Sequence, residues 1–316
     1  MVMRFDPIQL NRRVKLRDLH TLATVGAVGG IRKAAKQLRL SQPAVSKAVA
    51  ELEHVLGVTL LDRSRRGVSM TPAGEALLRR AVVIFDELQQ GARELDHLSD
   101  PYRGHVDLAC SETINAGVVS EAIARMTRQY PRVSFGLDSG EPSMLISKYL
   151  KERVSDFVIT RPFDPVLDPD IHAEPLFRDK LQVVVSRSSA WGKRRKIGLV
   201  ELIGEPWILS RNEATIHSPV VEAFRNIGHD LPVRTLLAGS LNLRYRLLAE
   251  DRYITLMPRS LLLFGAAARF PLKVLPIDIP PWPTPTMILT LANRSLTPVA
   301  STFLEIVRDV SRRLDA

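Results

Sequence analysis

The feature that most constrains this chain is a pair of short helix-forming segments with a very short connection between them, near the amino terminus. The segment Ile31–Leu38 has apolar residues at helical spacing, and Arg39 and Leu40 form the connection to the next helix. Ser41 supplies a hydroxyl that can cap this next helix. Pro43 is tolerated in its first turn, where helix N–H groups have no internal partner. Two helices at this spacing predict a helix-turn-helix.

A helix from Leu16 onward precedes the pair, and the helix that follows Ser41 is predicted to extend to about His54. This third helix is the one that would enter a DNA major groove. Its inward-facing positions are Val45, Ala48, Val49 and Leu52, and its outward-facing positions are Gln42, Ser46 and Lys47. A glutamine can pair with adenine through two hydrogen bonds, and a lysine can reach guanine or a phosphate.

The distribution of charge also indicates a nucleic acid partner. Residues 1–80 contain 15 Lys and Arg against 6 Asp and Glu, which accounts for +9 of the chain's net charge of +10. A basic domain of this kind is typical of nucleic-acid binding, although a solubilising surface is the alternative. Residues 62–71 predict a basic hairpin, or wing, with Gly67 near its turn, that would lie along the DNA backbone.

The candidate DNA contacts are therefore on the third helix and the wing. They are Ser41, Gln42, Pro43, Ser46, Lys47, Arg63, Arg65 and Arg66. Some of these residues also have structural explanations. Ser41 is accounted for as a helix cap, and Arg63 or Arg66 could pair with Asp62 instead of phosphate.

A long helix is predicted to start at Thr71 and Pro72, with Thr71 as the cap, and to continue to about Leu98. Apolar residues alternate spacings of four and three along it, with one gap at a glycine: Leu77, Ala81, Ile84, Leu88, Gly91, Leu95 and Leu98. Such a seam needs a partner, and the simplest is a second copy of the chain. The alternative is packing on the same chain. Residues 100–104 (DPYRG) break the helix.

Beyond residue 104, apolar runs alternate with helical segments, which predicts an α/β domain with a mostly parallel sheet, as one domain or two lobes. The predicted strands are Val106–Cys110, Val133–Leu137, Asp156–Thr160, Leu181–Val185, Trp207–Leu209, Tyr253–Met257 and Met287–Leu291. The predicted helices are Gly117–Gln129, Ser143–Lys151, Pro219–Asn226 and Leu243–Glu250.

Several function classes are disfavoured by composition and motif content. The one cysteine, Cys110, excludes an internal disulfide and indicates a reducing cytoplasm. The start of the chain lacks a signal-peptide pattern, and no apolar run is long enough to span a membrane. There is no phosphate-binding P-loop and no serine nucleophile elbow, and the 7 histidines lack metal-ligand spacing. We therefore expect neither an enzyme nor a cofactor.

The motifs around the third helix carry a family resemblance. The runs AAKQLRLSQPAVS (residues 34–46), ELE (51–53), LGVTLLDR (56–63) and TPAG (71–74) place glycine, proline and capping residues as the LysR-type transcriptional regulators do. Weaker matches lie at Gly239–Asn242 and Leu256–Pro258. The chain therefore resembles this family over nearly its whole length. One departure is Gly30, where the family usually has serine, so the hydroxyl that could contact phosphate is missing.

The resemblance implies a winged helix-turn-helix domain (16–71) after a flexible arm (1–15), a dimerisation linker helix (72–100) and an effector-binding domain (104–316). That domain would resemble periplasmic binding proteins, with lobe I at about 104–161 and 271–316 and lobe II at about 162–270. The implied crossings between lobes are near Thr160–Phe163 and Phe264–Leu272. Dimers that pair into tetramers are implied as well.

Ligands of open α/β folds bind beyond the carboxyl ends of strands. This rule selects Ser111, Thr113, Ser143, Thr160, Arg161, Ser210, Arg211, Asn212 and Asn242 as candidate effector contacts. Hydroxyls, amides and arginines suit a small polar or anionic effector, although each residue could equally be a helix cap or a surface turn. The expected partners are double-stranded DNA with an inverted repeat, this effector, further copies of the chain and RNA polymerase.

Overall fold

The computed structural model describes residues 10, 12–64, 67–100, 102–163, 168–266 and 270–314. Most of the predicted arm (1–15) and the wing residues Arg65 and Arg66 lie outside these described residues. The chain divides into two compact units, with the division between Ala92 and Arg93.

The first unit contains three helices, a two-stranded hairpin and most of a long helix. These are α1 (Leu16–Val28), α2 (Ile31–Leu38), α3 (Gln42–Leu56), β1 (Leu61–Ser64), β2 (Gly67–Met70) and α4 (Pro72–Ser99). Their apolar faces meet in one core, in which Leu22, Val45 and Val49 are fully buried. The predicted winged helix-turn-helix is confirmed, and α3 extends two residues beyond the predicted end at His54.

Local backbone interactions set the ends of α3. The Ser41 hydroxyl oxygen accepts a hydrogen bond from the Ala44 N–H at 3.3 Å. Gly57 ends the helix in the left-handed conformation (φ 62°), which is the region that favours glycine. Further along, one Glu53 carboxylate oxygen accepts the N–H groups of Leu60 and Leu61 at 2.8 and 3.1 Å. The acidic residue therefore ties α3 to the first strand of the wing.

The start of α4 is fixed against the same hairpin. The Thr71 hydroxyl accepts the Gly74 N–H at 3.0 Å, as expected of a cap, and donates to the Thr59 carbonyl at 2.7 Å. A Cβ atom on Gly74 would lie only 2.1 Å from the Leu60 carbonyl oxygen. Because no larger residue fits, this glycine allows α4 to approach the hairpin closely.

The apolar seam of α4 divides into two parts. Leu77 and Ala81 pack into the core of the first unit, so this part of the seam is covered by the chain itself. The other apolar side chains of the seam are exposed: Ile84, Leu88, Leu95 and Leu98. The exposed fraction rises to 78% at Leu98.

The second unit contains two five-stranded sheets. In sheet order, one consists of β4 (Arg132–Ser139), β3 (Arg103–Cys110), β5 (Phe157–Thr160), β12 (Thr286–Leu291) and β6 (Ile171–Phe177). The other consists of β11 (Leu272–Asp278), β7 (Leu181–Ser186), β10 (Ile254–Pro258), β8 (Trp207–Leu209) and β9 (Thr235–Leu237). Each sheet has its own apolar core, so the unit has two lobes.

Helices cover the faces of both sheets. The α-helices are α5 (Glu112–Ile114), α6 (Ser120–Gln129), α7 (Pro142–Met144), α8 (Pro219–Asn226), α9 (Leu241–Leu248), α10 (Arg259–Leu261) and α11 (Pro298–Ser311). Turns of π helix span Asn115–Val119, Leu145–Leu150 and Leu262–Ala266, and 3₁₀ turns span Trp191–Lys193, Leu199–Leu202 and Arg312–Leu314. The segments predicted from Gly117 and Ser143 therefore begin earlier, at Glu112 and Pro142, and each includes a π turn.

The prediction of a mostly parallel sheet is wrong. The strands β3, β4 and β5 are parallel, as are β8, β9 and β10. However, β12 is antiparallel to both its neighbours, and β7 is antiparallel to β10 and β11. Each sheet is therefore mixed, because the first strand that the chain forms after each crossing, β7 in one lobe and β12 in the other, runs opposite to the three parallel strands.

The predicted crossings between the lobes, and the lobe boundaries drawn from them, are also wrong. After Thr160 the chain forms one more strand of lobe I, β6, which pairs with β12. After Phe264 it forms one more strand of lobe II, β11, which pairs with β7. The crossings therefore lie between Phe177 and Leu181 and between Asp278 and Thr286.

No helix in the described part of the chain is both long and apolar enough to cross a membrane.

Candidate DNA interface and ligand cleft

The third helix presents one face to solvent and the other to the core. Gln42, Pro43 and Lys47 are exposed and Ser46 is half-buried, while Val45 and Val49 are fully buried. The four candidates therefore lie on the first two turns of α3, close to its amino end. That is where helix-turn-helix proteins contact base edges.

The wing extends the same unit beyond α3. β1 and β2 form an antiparallel hairpin in which Arg63 pairs with Val68 and Ser64 pairs with Gly67. The hairpin was predicted, with Gly67 near its turn. The other two basic candidates of the wing, Arg65 and Arg66, lie outside the described residues.

A cavity of about 380 Å³ lies between the two lobes of the second unit. On the side of lobe I it is lined by residues that follow or end the three parallel strands, namely Ser111, Ser139 and Arg161. On the side of lobe II the corresponding residues are Ser210, Gly239 and Pro258. The strand-end rule used for the sequence therefore describes both sides of this cavity.

Five of the nine effector candidates line the cavity: Ser111, Thr113, Arg161, Ser210 and Asn212. The other four do not. Thr160 is fully buried behind the lining, where its hydroxyl lies 2.9 Å from that of Ser111. Ser143 is exposed on α7, and Asn242 is exposed inside α9, which begins one residue before it. Arg211 is exposed and does not line the cavity either.

Arg161 is held in an unusual environment at the first lobe's edge. Its guanidinium carbon lies 3.6 Å from the centre of the Trp282 ring, which is a cation–π contact. Its Nε atom is buried and has no hydrogen-bond partner among the described residues. Burial lowers the pKa of Arg161 to about 10, an effect that the carboxylates of Glu213 and Asp179 partly oppose.

Acidic residues of the cavity were missed by the sequence reasoning. Glu112 comes two residues after the predicted strand end at Cys110, and Glu141 comes two residues before the predicted helix start at Ser143, so the strand-end rule could have found them. Asp179 lies in the first crossing between lobes, which the sequence misplaced. Its pKa is raised by burial, although hydrogen bonds from the Ser260 hydroxyl and N–H oppose the shift.

Two hydrogen bonds connect the lobes at the cavity. The Leu241 N–H of lobe II donates to Glu112 Oε1 of lobe I at 3.1 Å. The Asn212 side-chain amide of lobe II donates to Glu141 Oε2 of lobe I. The two lobes are therefore in direct polar contact beside the space that a ligand would occupy.

Redox and metal chemistry find little support in the described residues. Burial raises the pKa of the Cys110 thiol to about 12, so this thiol stays protonated and unreactive at neutral pH. No group of three or more His, Cys, Asp or Glu residues in the described ranges is arranged to hold a metal ion.

A winged helix-turn-helix on a long helix, followed by a two-lobed α/β domain with a ligand-sized cleft, defines a ligand-responsive DNA-binding protein. Comparison with known families agrees with this class. The model of bacterial regulatory helix-turn-helix proteins of the lysR family matches residues 16–75, and that of the LysR substrate binding domain matches residues 99–312. The chain belongs to the LysR family of transcriptional regulators.

Individual relatives extend over the whole chain. The HTH-type transcriptional regulator YybE of Bacillus subtilis (strain 168) is 29% identical over 299 residues, which cover 92% of this chain and 97% of that protein. The transcriptional dual regulator GltC of the same organism is 25% identical over 272 residues, covering 86% and 89%. These proteins are regulators and not enzymes.

Solved structures show the same fold. A full-length OxyR variant from Pseudomonas aeruginosa has a TM-score of 0.62 at 22% identity and covers 94% of both chains. Full-length CbnR in complex with its target DNA has a TM-score of 0.53 at 22% identity, covering 94% of this chain and 99% of that one.

Proposed function

We propose that this regulator reads an inverted-repeat operator with α3 and the wing, and that a small polar effector in the cleft between the lobes modulates this binding. The observation that carries the proposal is the cavity of about 380 Å³, to which both lobes contribute strand-end residues. Its lining residues Ser111, Thr113, Arg161 and Asn212 offer hydroxyl, guanidinium and amide donors to a ligand.

The functional division of the chain follows from this proposal. Residues 16–71 bind DNA, residues 72–100 join two copies, and residues 104–316 bind the effector. A ligand that contacts both lobes favours the lobe angle that best satisfies its polar atoms, and only such differential affinity can shift a conformational equilibrium. The effector then changes the geometry of the paired DNA domains and their action on RNA polymerase in the cytoplasm.

Base reading by α3 is tested with Gln42→Ala, since this exposed side chain has no packing role. We expect a loss of about 1–3 kcal/mol on the specific operator and little change on unrelated DNA. Arg65→Ala, by contrast, should weaken binding to all sequences and reduce the salt dependence by about one phosphate contact. Fluorescence anisotropy with operator and scrambled DNA at several salt concentrations measures both effects.

The matched control is Gln37→Ala, which makes the same substitution at an exposed position on α2. It should leave specific and nonspecific binding unchanged. If Gln42→Ala weakens operator and scrambled DNA equally, α3 does not read bases through this residue.

Dimerisation through α4 is tested at the exposed part of its seam. Leu88→Asp together with Leu95→Asp places charges where two helices would pack, so the full chain should lose its dimers and its tight operator binding. Gln89→Asp is the control, since Gln89 is exposed on the same helix but outside the seam. Unchanged mass of the double variant in light scattering would show that the assembly uses another surface. Tetramers built from these dimers would appear in the same measurement.

A further inference from the structure

The charge of the cleft narrows the chemistry of the effector. Among the described residues that line the cavity there are four carboxylates, Glu112, Glu141, Asp179 and Glu213, and one cationic side chain, Arg161. An effector that carried only negative charge would meet an excess of acidic groups, and like charges repel. Of the two alternatives that the sequence left open, a polar or an anionic effector, the charge of the cleft disfavours the purely anionic one.

The four carboxylates are not equivalent. Glu213 is neutralised by the buried Arg244, with which it forms an ion pair at 2.8 Å. Asp179 accepts hydrogen bonds from Ser260. These two are satisfied within the protein.

Glu112 and Glu141 keep capacity for a ligand. One oxygen of Glu112 accepts the Leu241 N–H, and one oxygen of Glu141 accepts the Asn212 amide. The second oxygen of each carboxylate makes no hydrogen bond with the described residues. Both residues are exposed and belong to lobe I, so a cationic group can reach them from the cavity.

Arg161 offers the complementary group. Trp282 covers one face of its guanidinium, so that approach to this face is blocked and a ligand must use the N–H donors at the edge. Its buried Nε has no hydrogen-bond partner in the described part of the chain, and an unmade hydrogen bond of this kind is costly. A carboxylate matches the geometry of guanidinium donors better than any neutral group.

We propose that the effector is a small zwitterion, an amino acid or a similar amino carboxylate, with its carboxylate on Arg161 and its ammonium group on Glu112 and Glu141. This inference rests on the proposed function of the cleft. Two apolar side chains that line the cavity, Met144 and Leu181, then contact the remainder of the effector.

The test uses the purified full-length protein and matched sets of compounds. Each of the twenty proteinogenic L-amino acids is compared with its N-acetyl derivative, which lacks the positive charge, and its amide, which lacks the negative charge. Binding is measured by calorimetry after a thermal-shift screen. At least one amino acid should bind, and both of its derivatives should bind about tenfold or more weakly.

Two variants assign the charges to residues. Arg161→Met should weaken the binding of the amino acid but leave the residual affinity for its amide unchanged. Glu141→Gln should weaken the binding of the amino acid but not the binding of its N-acetyl derivative. Arg211→Met is the control, since this arginine is exposed and does not line the cavity. A merely structural effect of the variants would lower the affinity for all three compounds alike.

The outcomes separate this inference from the proposed function. The proposal of a zwitterionic effector is overturned if a derivative that carries one charge binds as tightly as its parent amino acid. It is also overturned if none of the amino acids binds. If an anion alone binds and changes operator binding, the cleft is still a regulatory site and only the ligand class is wrong. If an amino acid binds as expected but operator binding does not respond, the ligand class stands and the proposed regulation fails.

Discussion

Arg244 on α9 is buried beside the ligand cleft and organises several polar groups. Its side chain is 3% exposed, and its two terminal nitrogens lie 2.8 and 3.3 Å from the oxygens of Glu213, which is 9% exposed. The guanidinium also donates to the carbonyl oxygens of Ala238 and Leu256. The network joins the region around β8 and β9 to β10.

The substitution Arg244→Met keeps most of the side-chain length but removes the charge and the donors. It leaves the Glu213 carboxylate buried without its ion-pair partner, and breaking a buried pair in this way costs about 3–5 kcal/mol. The control is Arg246→Met, two residues further along the same helix. Arg246 is 72% exposed and pairs with Glu250 one helical turn away, so its loss should cost only about 0.3–0.5 kcal/mol.

Urea unfolding followed by tryptophan fluorescence measures both variants. All 3 tryptophans lie beyond residue 190, so the signal reports on the second unit alone. With a denaturant slope of about 3 kcal/mol per M, Arg244→Met should lower the unfolding midpoint by about 1–1.7 M, and Arg246→Met by less than about 0.2 M. Adding Glu213→Met to Arg244→Met should recover most of the loss, because the unpaired charge is then gone.

The reasoning is refuted if Arg244→Met costs less than about 1 kcal/mol, since the buried charge would then be compensated in another way. It is equally refuted if the double variant is less stable than Arg244→Met alone.

Three further predictions concern single positions. Gly74→Ala should destabilise the first unit by about 1–3 kcal/mol through overpacking. Gly91→Ala is the control: it lies in open space on the same helix and should stabilise the unit by about 0.5–1 kcal/mol. Unfolding in urea followed by helical circular dichroism measures both variants, and equal effects would contradict the tight contact at Gly74. Gly30→Ser should be tolerated, since the backbone of Gly30 is extended and no atom lies within 4 Å of an added Cβ. The new hydroxyl should raise the affinity for DNA of any sequence without changing the salt dependence of binding. A loss of affinity would contradict this prediction. The largest cause that lowers the pKa of Glu174 is its hydrogen bonds from Arg308. The pair therefore stabilises the folded protein at any pH above the ordinary glutamate pKa. This stabilisation is lost as the pH falls through the lowered pKa of Glu174 in the folded state. Glu174→Gln should therefore lower the unfolding midpoint at neutral pH and have less effect in acid, whereas a difference that does not vary with pH would rule the pair out.

The helix-turn-helix could be predicted from the sequence because its signals act over a few residues. The Ser41 hydroxyl caps a helix that starts at the next residue, Gly57 ends it, and Thr71 caps the following helix. Each interaction joins groups close along the chain, so the pattern of residue types is sufficient. The wing tip is the part of this region that lies outside the described residues.

In the effector domain, the buried strands could be predicted and three edge strands could not. β5, β7, β8 and β10 are almost continuously buried, and their apolar runs are evident in the sequence. The strands β6, β9 and β11 lie at sheet edges. Few or none of their residues are buried, and β6 and β11 each contain a proline. The lobe crossings implied by the family resemblance were placed before β6 and β11, and therefore too early along the chain.

The sequence by itself determined the class of protein, the recognition helix and several residues at strand ends, because these depend on local patterns and on the order of elements. Only the tertiary structure decided the charge of the cleft. Arg161, Glu112, Asp179 and Trp282 line it together, and these residues come from separate strand ends and from both lobe crossings. Electrostatic interaction depends on distance in space and on burial, and neither is set by the spacing of these residues along the chain.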